Sequence, residues 1–150
     1  MKSSKVGNVN LVPVSSSTAH IRILFDLLQE RRHPISSGIL PGFDDHTLFV
    51  QNHPYRYWYL IHKDDKYLGS VYGTYHNVMG LSVERDITVL RDVIDSVMKL
   101  HPPLFEIKSI RGRDYCVNIS PTNVELELAL QGLGATLIQK TYRLRKPEDD

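Results

Sequence analysis

The alternation of apolar and polar positions divides the chain into short segments of two kinds. "NLVPV" (10–14) reads as a short strand near a sheet edge, because Pro13 has no amide to give to a second neighbour. In the stretch that follows, Ile21, Leu24, Phe25 and Leu28 recur at helical spacing behind a Ser17 or Thr18 cap, and Pro34 enforces a stop. After the loop "ISSGILPGF", Asp44 or Asp45 caps a second short helix, "HTLFVQNH", with His46, Phe49, Val50 and His53 on one face. The strongest β signal is "YRYWYLIH" (55–62), the polar turn "KDDK", and "YLGSVYGTYH" (67–76). Tyr55, Tyr57, Tyr59 and Ile61 alternate with Arg56, Trp58, Leu60 and His62, so both faces carry apolar bulk and the hairpin belongs at the centre of a sheet covered on two sides.

"NVMG" then turns the chain into a strand, "LSVER". A helix capped by Thr88 follows, with Leu90, Val93, Ile94 and Val97 as its buried stripe and Pro102 and Pro103 beyond its end. "LFEIKSI" and "YCVNIS" read as two further strands separated by "RGRD". Thr122 or Asn123 caps a last helix that turns Leu126, Ala129, Leu130 and Leu133 inward, and "ATLIQKTYRL" (135–144) reads as a long closing strand. This order predicts an α/β (α+β) domain: a central mixed, mostly antiparallel twisted sheet of six to seven strands flanked by about four helices. Residues 1–150 are expected to form one domain, with 1–8 and 146–150 as flexible ends.

Composition narrows the function classes. The net charge is +1, so no diffuse basic field attracts nucleic acid or an anionic membrane, and neither is expected as a partner. The single cysteine, Cys116, excludes an intrachain disulfide and suits a reducing compartment; with no apolar leader or spanning run, a cytoplasmic location is expected. The histidine pairs 46/53 and 62/76 lack a third ligand at a characteristic spacing, so no metal site is expected. Arg111 and Arg113, on the "RGRD" turn, read first as solvated turn charges and second as a phosphate clamp. The tyrosines at 55, 57, 59, 67, 72 and 75 read first as cross-strand packing and second as the lining of an acceptor pocket.

The order of elements, the hairpin with Gly69 after its turn, "GLSV", and "NISPTNVELELALQGLGA", in which Asn123 and Gly134 lie eleven residues apart, together resemble the GCN5-related N-acetyltransferase superfamily. "HTLFVQNHPYRYWYLI" is similar to the segment that precedes the second strand in members acting on amino sugars. The resemblance implies an acyl-CoA N-acyltransferase-like fold and transfer of an acetyl group from acetyl-CoA, as co-substrate, to a primary amine of a small molecule, amino sugar or peptide by direct attack. It also implies that backbone groups along Leu81, Ser82 and Val83 hold the pantetheine arm. The amides of Asp86, Ile87 and Thr88, aided by Arg85 and Arg91, would hold the phosphates, with Asn123 at the second strand.

The chain departs from the family pattern at several of these places. "ERDITVLRD" lacks the spaced glycines of a phosphate loop, and Asp86 puts a negative charge where an anion would lie. Leu130 occupies the position of the usual tyrosine acid, which leaves Ser120 and Tyr142 as candidates to protonate the thiolate. His76 and Glu84 are the candidate bases. A second reading, from another class, is a degenerate member that retains the fold as a non-catalytic binding or assembly module. The oligomeric state stays open, a homodimer included.

Overall fold

The computed structural model describes residues 4–6, 9–32 and 40–147. Six strands, β1 (Ser4–Val6), β2 (Val9–Pro13), β3 (Tyr57–Lys63), β4 (Lys66–Gly73), β5 (Val78–Ser82) and β6 (Cys116–Val117), form one sheet in chain order. All neighbours are antiparallel except β5 and β6, which run parallel. The helices are α1 (Thr18–Gln29), α2 (Phe43–Asn52), α3 (Leu90–Leu100) and α4 (Val124–Gly132), with a 3₁₀ turn at Ile87–Val89 leading into α3.

The β3–β4 hairpin organises the core as its alternation requires. Asp64 and Asp65 both take positive φ (50° and 60°), the backbone signature of a two-residue hairpin turn that matches strand twist. Tyr57, Tyr59 and Ile61 pack with Val93, Val97 and Leu126 under α3 and α4, while Trp58 and Leu60 pack with Ile21, Leu24 and Leu27 under α1. On the α3 side Tyr57 stacks on His101 with ring centres 4.2 Å apart, and the Tyr59 hydroxyl meets His101 Nε2 at 2.8 Å. The Tyr57 hydroxyl donates to Tyr115, which donates onward to the His101 carbonyl. Burial lowers the His101 pKa and raises those of both tyrosines.

Several expected boundaries move. Residues 4–6, placed by the sequence in a flexible end, pair as β1. Helix α2 starts at Phe43 with Gly42 as its cap residue; Asp44 and Asp45 lie in its first turn, where they complement the helix dipole. The expected stop at Pro34 and the loop residues 35–39 lie outside the described residues.

Two expected strands are absent. "LFEIKSI" makes only an isolated bridge, Ile107 to Arg111, because its backbone bonds to side chains at Leu104 and Phe105 and folds back on itself between Ile107 and Arg111. Asn77 is 1% exposed and holds this excursion with three bonds: its amide donates to the Leu104 and Gly112 carbonyls, and its oxygen accepts from the Leu104 amide. Arg111 adds bonds to the Phe105 and Tyr75 carbonyls, so it staples the turn to the sheet. The segment 135–144 forms no strand; it has no regular secondary structure and every residue is exposed. The sheet therefore has six strands, with β6 at an edge.

Candidate functional site

Strands β5 and β6 pair only through Val78–Cys116 and Met79–Val117. Both chains continue, Gly80 to Val83 on one side and Asn118 to Ser120 on the other, without further ladder pairs, and they form the walls of a cleft of about 350 Å³. Backbone polar groups on that side of β5 are therefore left to solvent or to a ligand, because a sheet neighbour is missing.

Gly80, directly opposite Tyr72 on β4, sits where the strands part. A Cβ here would lie 2.1 Å from the Tyr72 ring, so glycine is what lets that ring lie across β5. Tyr72 stacks face to face on Tyr55, with centroids 3.8 Å apart and planes 7° apart, and the pair forms a rigid wall of the cleft. Beyond this wall lies a second cavity of about 400 Å³, between α1, α2 and the sheet, which shares Arg31, Tyr55, Ser70, Tyr72 and Ser82 with the first. Trp58 lines it, and its indole Nε1–H is buried without a hydrogen-bond partner among the described residues.

The sequence-selected residues divide between the cleft and other places. Leu81, Ser82, Val83, Glu84, Ile87, Ser120 and Asn123 line the cleft. Ser120 is 7% exposed; its hydroxyl lies 2.9 Å from that of Thr122 and accepts from the Thr122 amide. Asn123 caps α4 by accepting from the Leu126 amide. Glu84 accepts from the Arg32 amide at 2.9 Å and pairs with its guanidinium at 3.5 Å, so the base candidate in the cleft is also bound to the end of α1. His76 is exposed in the β4–β5 turn and is absent from the cleft lining; Tyr142 is 78% exposed on the C-terminal segment. Tyr57 and Tyr59 are core residues, leaving Tyr55 and Tyr72 as the members of the tyrosine set at the cleft. Arg31, Arg32, Ser70 and Asn118 also line it; sequence reading did not select them, and no local signal in the chain marks them.

The expected phosphate junction has a different arrangement from the one its sequence implies. Asp86, and not Thr88, is the cap: its carboxylate accepts from the Thr88 amide at 3.0 Å and from the Thr88 hydroxyl. These bonds hold its pKa below the usual carboxylate value. The Asp86 amide donates to the Val83 carbonyl at 3.1 Å. Two of the three amides expected to face phosphate are thus bonded within the loop, one of them to a carboxylate.

Arg85 is likewise engaged. It forms a two-pronged ion pair with Glu30 at the end of α1 and donates to the Tyr67 carbonyl at 2.7 Å; its guanidinium holds the Glu30 carboxyl below its ordinary pKa. Arg91 is exposed on α3. Among the described residues, no group of three or more His, Cys, Asp or Glu side chains is placed to hold a metal, and no helix is long and apolar enough to cross a membrane.

No protein-family model matches the chain, and no curated protein matches it. Solved structures do. An integron cassette protein from the mobile metagenome of V. cholerae superposes with a TM-score of 0.59 at 14% identity, covering 95% of each chain. A possible acetyltransferase from Clostridium difficile 630 superposes with a TM-score of 0.55 at 8% identity, covering 93% of this chain and 98% of that one. The chain therefore has the fold of these proteins over nearly its whole length. At such identities the likeness is one of architecture, and function has to be argued from the site.

Proposed function

We propose that this protein is an N-acetyltransferase of the GCN5-related type, taking its acyl group from acetyl-CoA held between β5 and β6. The observation that carries this reading is the parting of the two parallel strands after Met79 and Val117. A parallel pair that stops after two residues, with both chains running on as the walls of a cleft, exposes a row of backbone donors and acceptors suited to the amides of a pantetheine arm. The fold shared with a possible acetyltransferase supports it.

In this reading the amine acceptor enters from the side of the second cavity, past the Tyr55–Tyr72 wall. Its nitrogen attacks the thioester carbonyl, the carbon–sulfur bond breaks, and the amide forms as the amine loses a proton and the thiolate gains one. Of the two carboxylates lining the cleft, Glu84 and Glu125, Glu84 lies at the end of the β5 wall and takes the first proton once it leaves Arg32; Ser120, on the facing wall, supplies the second. The aromatic wall and the free indole N–H of Trp58 favour an amine carried on a planar or apolar body that also offers a hydrogen-bond acceptor.

A second reading rests on a specific observation. Asp86 occupies the Thr88 amide, and Glu30 the arginine, that would otherwise meet the diphosphate, which favours a protein that keeps the cleft for binding without turnover. Thermal denaturation with acetyl-CoA, followed by chromatographic measurement of CoA release in the presence of a panel of amines, separates the two. Stabilisation with amine-dependent CoA release is the expected result. Stabilisation without release favours the binding module, and no shift at millimolar acetyl-CoA refutes both uses of the cleft.

A further inference from the structure

Among the described residues, eight of the thirteen exposed large hydrophobics fall between Phe105 and Leu144, and four of these lie on the last described segment: Leu137 (67%), Ile138 (74%), Tyr142 (78%) and Leu144 (94%). This segment leaves α4 in a fixed direction. Gly134 takes φ +95° and its amide donates to the Gln131 carbonyl, while the Ala135 amide donates to the Leu130 carbonyl. From Thr136 onward, the one hydrogen bond among the described residues is a weak contact from Gln139 to Thr141. Ten residues rich in apolar and β-branched side chains, read by sequence as a strand, are thus presented to water with no strand partner among the described residues.

The matching vacancy is on the sheet. Strand β6 is an edge, and Val117 in it, with Tyr115 and Ile119 in the chain on either side, packs against the main core, so this edge borders a buried apolar layer. An open edge of this kind is a template for another strand. The charges agree: residues 135–146 carry Lys140, Arg143, Arg145 and Lys146 with no carboxylate, whereas α4, which covers the sheet beside this edge, carries Glu125 and Glu127 with no cation.

We propose that two copies of this chain exchange their C-terminal segments, residues 135–144 of each pairing with the β6 edge of the other. A reciprocal exchange satisfies both unpaired features at once and closes with two-fold symmetry. At roughly 30–40 Å² per interface residue, ten residues from each copy and a similar number on the edges and flanks they cover bury on the order of 1,400 Å², within the range of stable interfaces. The exchange would also build the cleft from both copies, since Asn118–Ser120 continue the edge on which the partner's strand lies. The proposal stands whether or not the cleft binds acetyl-CoA.

The test uses the full chain and its single cysteine. Light scattering after size exclusion at micromolar concentration is expected to give twice the 17.2 kDa of one chain. Cysteines placed singly at positions 137 through 141 then probe the pairing, because directly opposed strand residues meet the geometry of a disulfide with Cys116. Under mild oxidation at least one variant is expected to form a covalent dimer that disappears when Cys116→Ser is added. A monomeric mass, an intramolecular disulfide showing that the strand folds back on its own edge, or a dimer with no Cys116 cross-link at any of the five positions would overturn the exchange.

Discussion

Replacing Asp86 by Asn separates the two roles of the carboxylate at the β5–α3 junction. Asn caps a helix about as well as Asp, so the bond from the Thr88 amide survives. What is lost is one negative charge at a helix start, whose stabilising effect is about 0.3–1 kcal/mol. Folding stability should therefore fall by less than about 1 kcal/mol. The effect on acetyl-CoA runs the other way. A carboxylate about 5 Å from a diphosphate oxygen opposes binding by about 1 to 3 kcal/mol, depending on how far the local dielectric falls below that of water. Asp86→Asn should thus bind acetyl-CoA about fivefold to a hundredfold more tightly than the natural chain, and the gain should shrink as salt is raised. Pantetheine, which lacks the diphosphate, should bind both proteins alike. Calorimetric titration with the two ligands at low and high salt reads each quantity directly. Unchanged or weaker acetyl-CoA affinity in Asp86→Asn, with the fold intact, would refute the placement of the diphosphate at this junction.

Other expectations concern stability and the walls of the site. Asn77→Ala removes a buried amide and its three bonds to the backbone of the 104–112 excursion and should cost about 3 kcal/mol, seen as a lower denaturation midpoint in urea; a loss below about 1 kcal/mol would show that water replaces the amide. Gly80→Ala drives a Cβ into the Tyr72 ring, so it should weaken acetyl-CoA binding about tenfold or more through displacement of the Tyr55–Tyr72 wall; unaltered affinity would show that the wall is unimportant. The pKa values of His46, His53 and His101 are all lowered by burial from an ordinary value of 6.5, so the unfolded chain binds more protons than the folded one just below that pH. Stability should accordingly fall as pH drops below about 6.5, and His101→Gln should make the fall shallower; an equal slope in both proteins would remove His101 from the effect.

The legible parts of this chain were those fixed by local periodicity. The alternation from Tyr55 to His62 correctly implied a central hairpin because burial on both faces demands apolar residues at every position, and little else in the chain shows that density. Helices α1, α3 and α4 were readable for the same reason. The excursion at 104–112 was not, because its shape is set by Asn77 and Arg111, which are far away in sequence and reach its carbonyls through space. The closing strand has the right composition but no neighbour within one described chain, and composition alone carries no information about pairing.

At the site, the cleft-lining residues of β5 and the start of α4 could be placed from the family resemblance. The role of Asp86 could not, since an aspartate two residues before a threonine is equally consistent with either one as the cap. Arg85 read as a free cation until the end of α1, 55 positions away, supplied Glu30. Arg31 and Arg32 reach the cleft only because α1 ends beside β5, a placement set by tertiary packing.

The central claim, that the cleft between β5 and β6 takes acetyl-CoA, is tested most directly by calorimetric titration of the natural chain and of Asn118→Trp. Asn118 is exposed on the cleft wall, so an indole there should fill the space without disturbing the core. Saturable binding of one acetyl-CoA per chain, abolished in Asn118→Trp at an unchanged melting temperature, is the predicted result. Equal binding by both proteins, or no binding by the natural chain at millimolar acetyl-CoA, would contradict it.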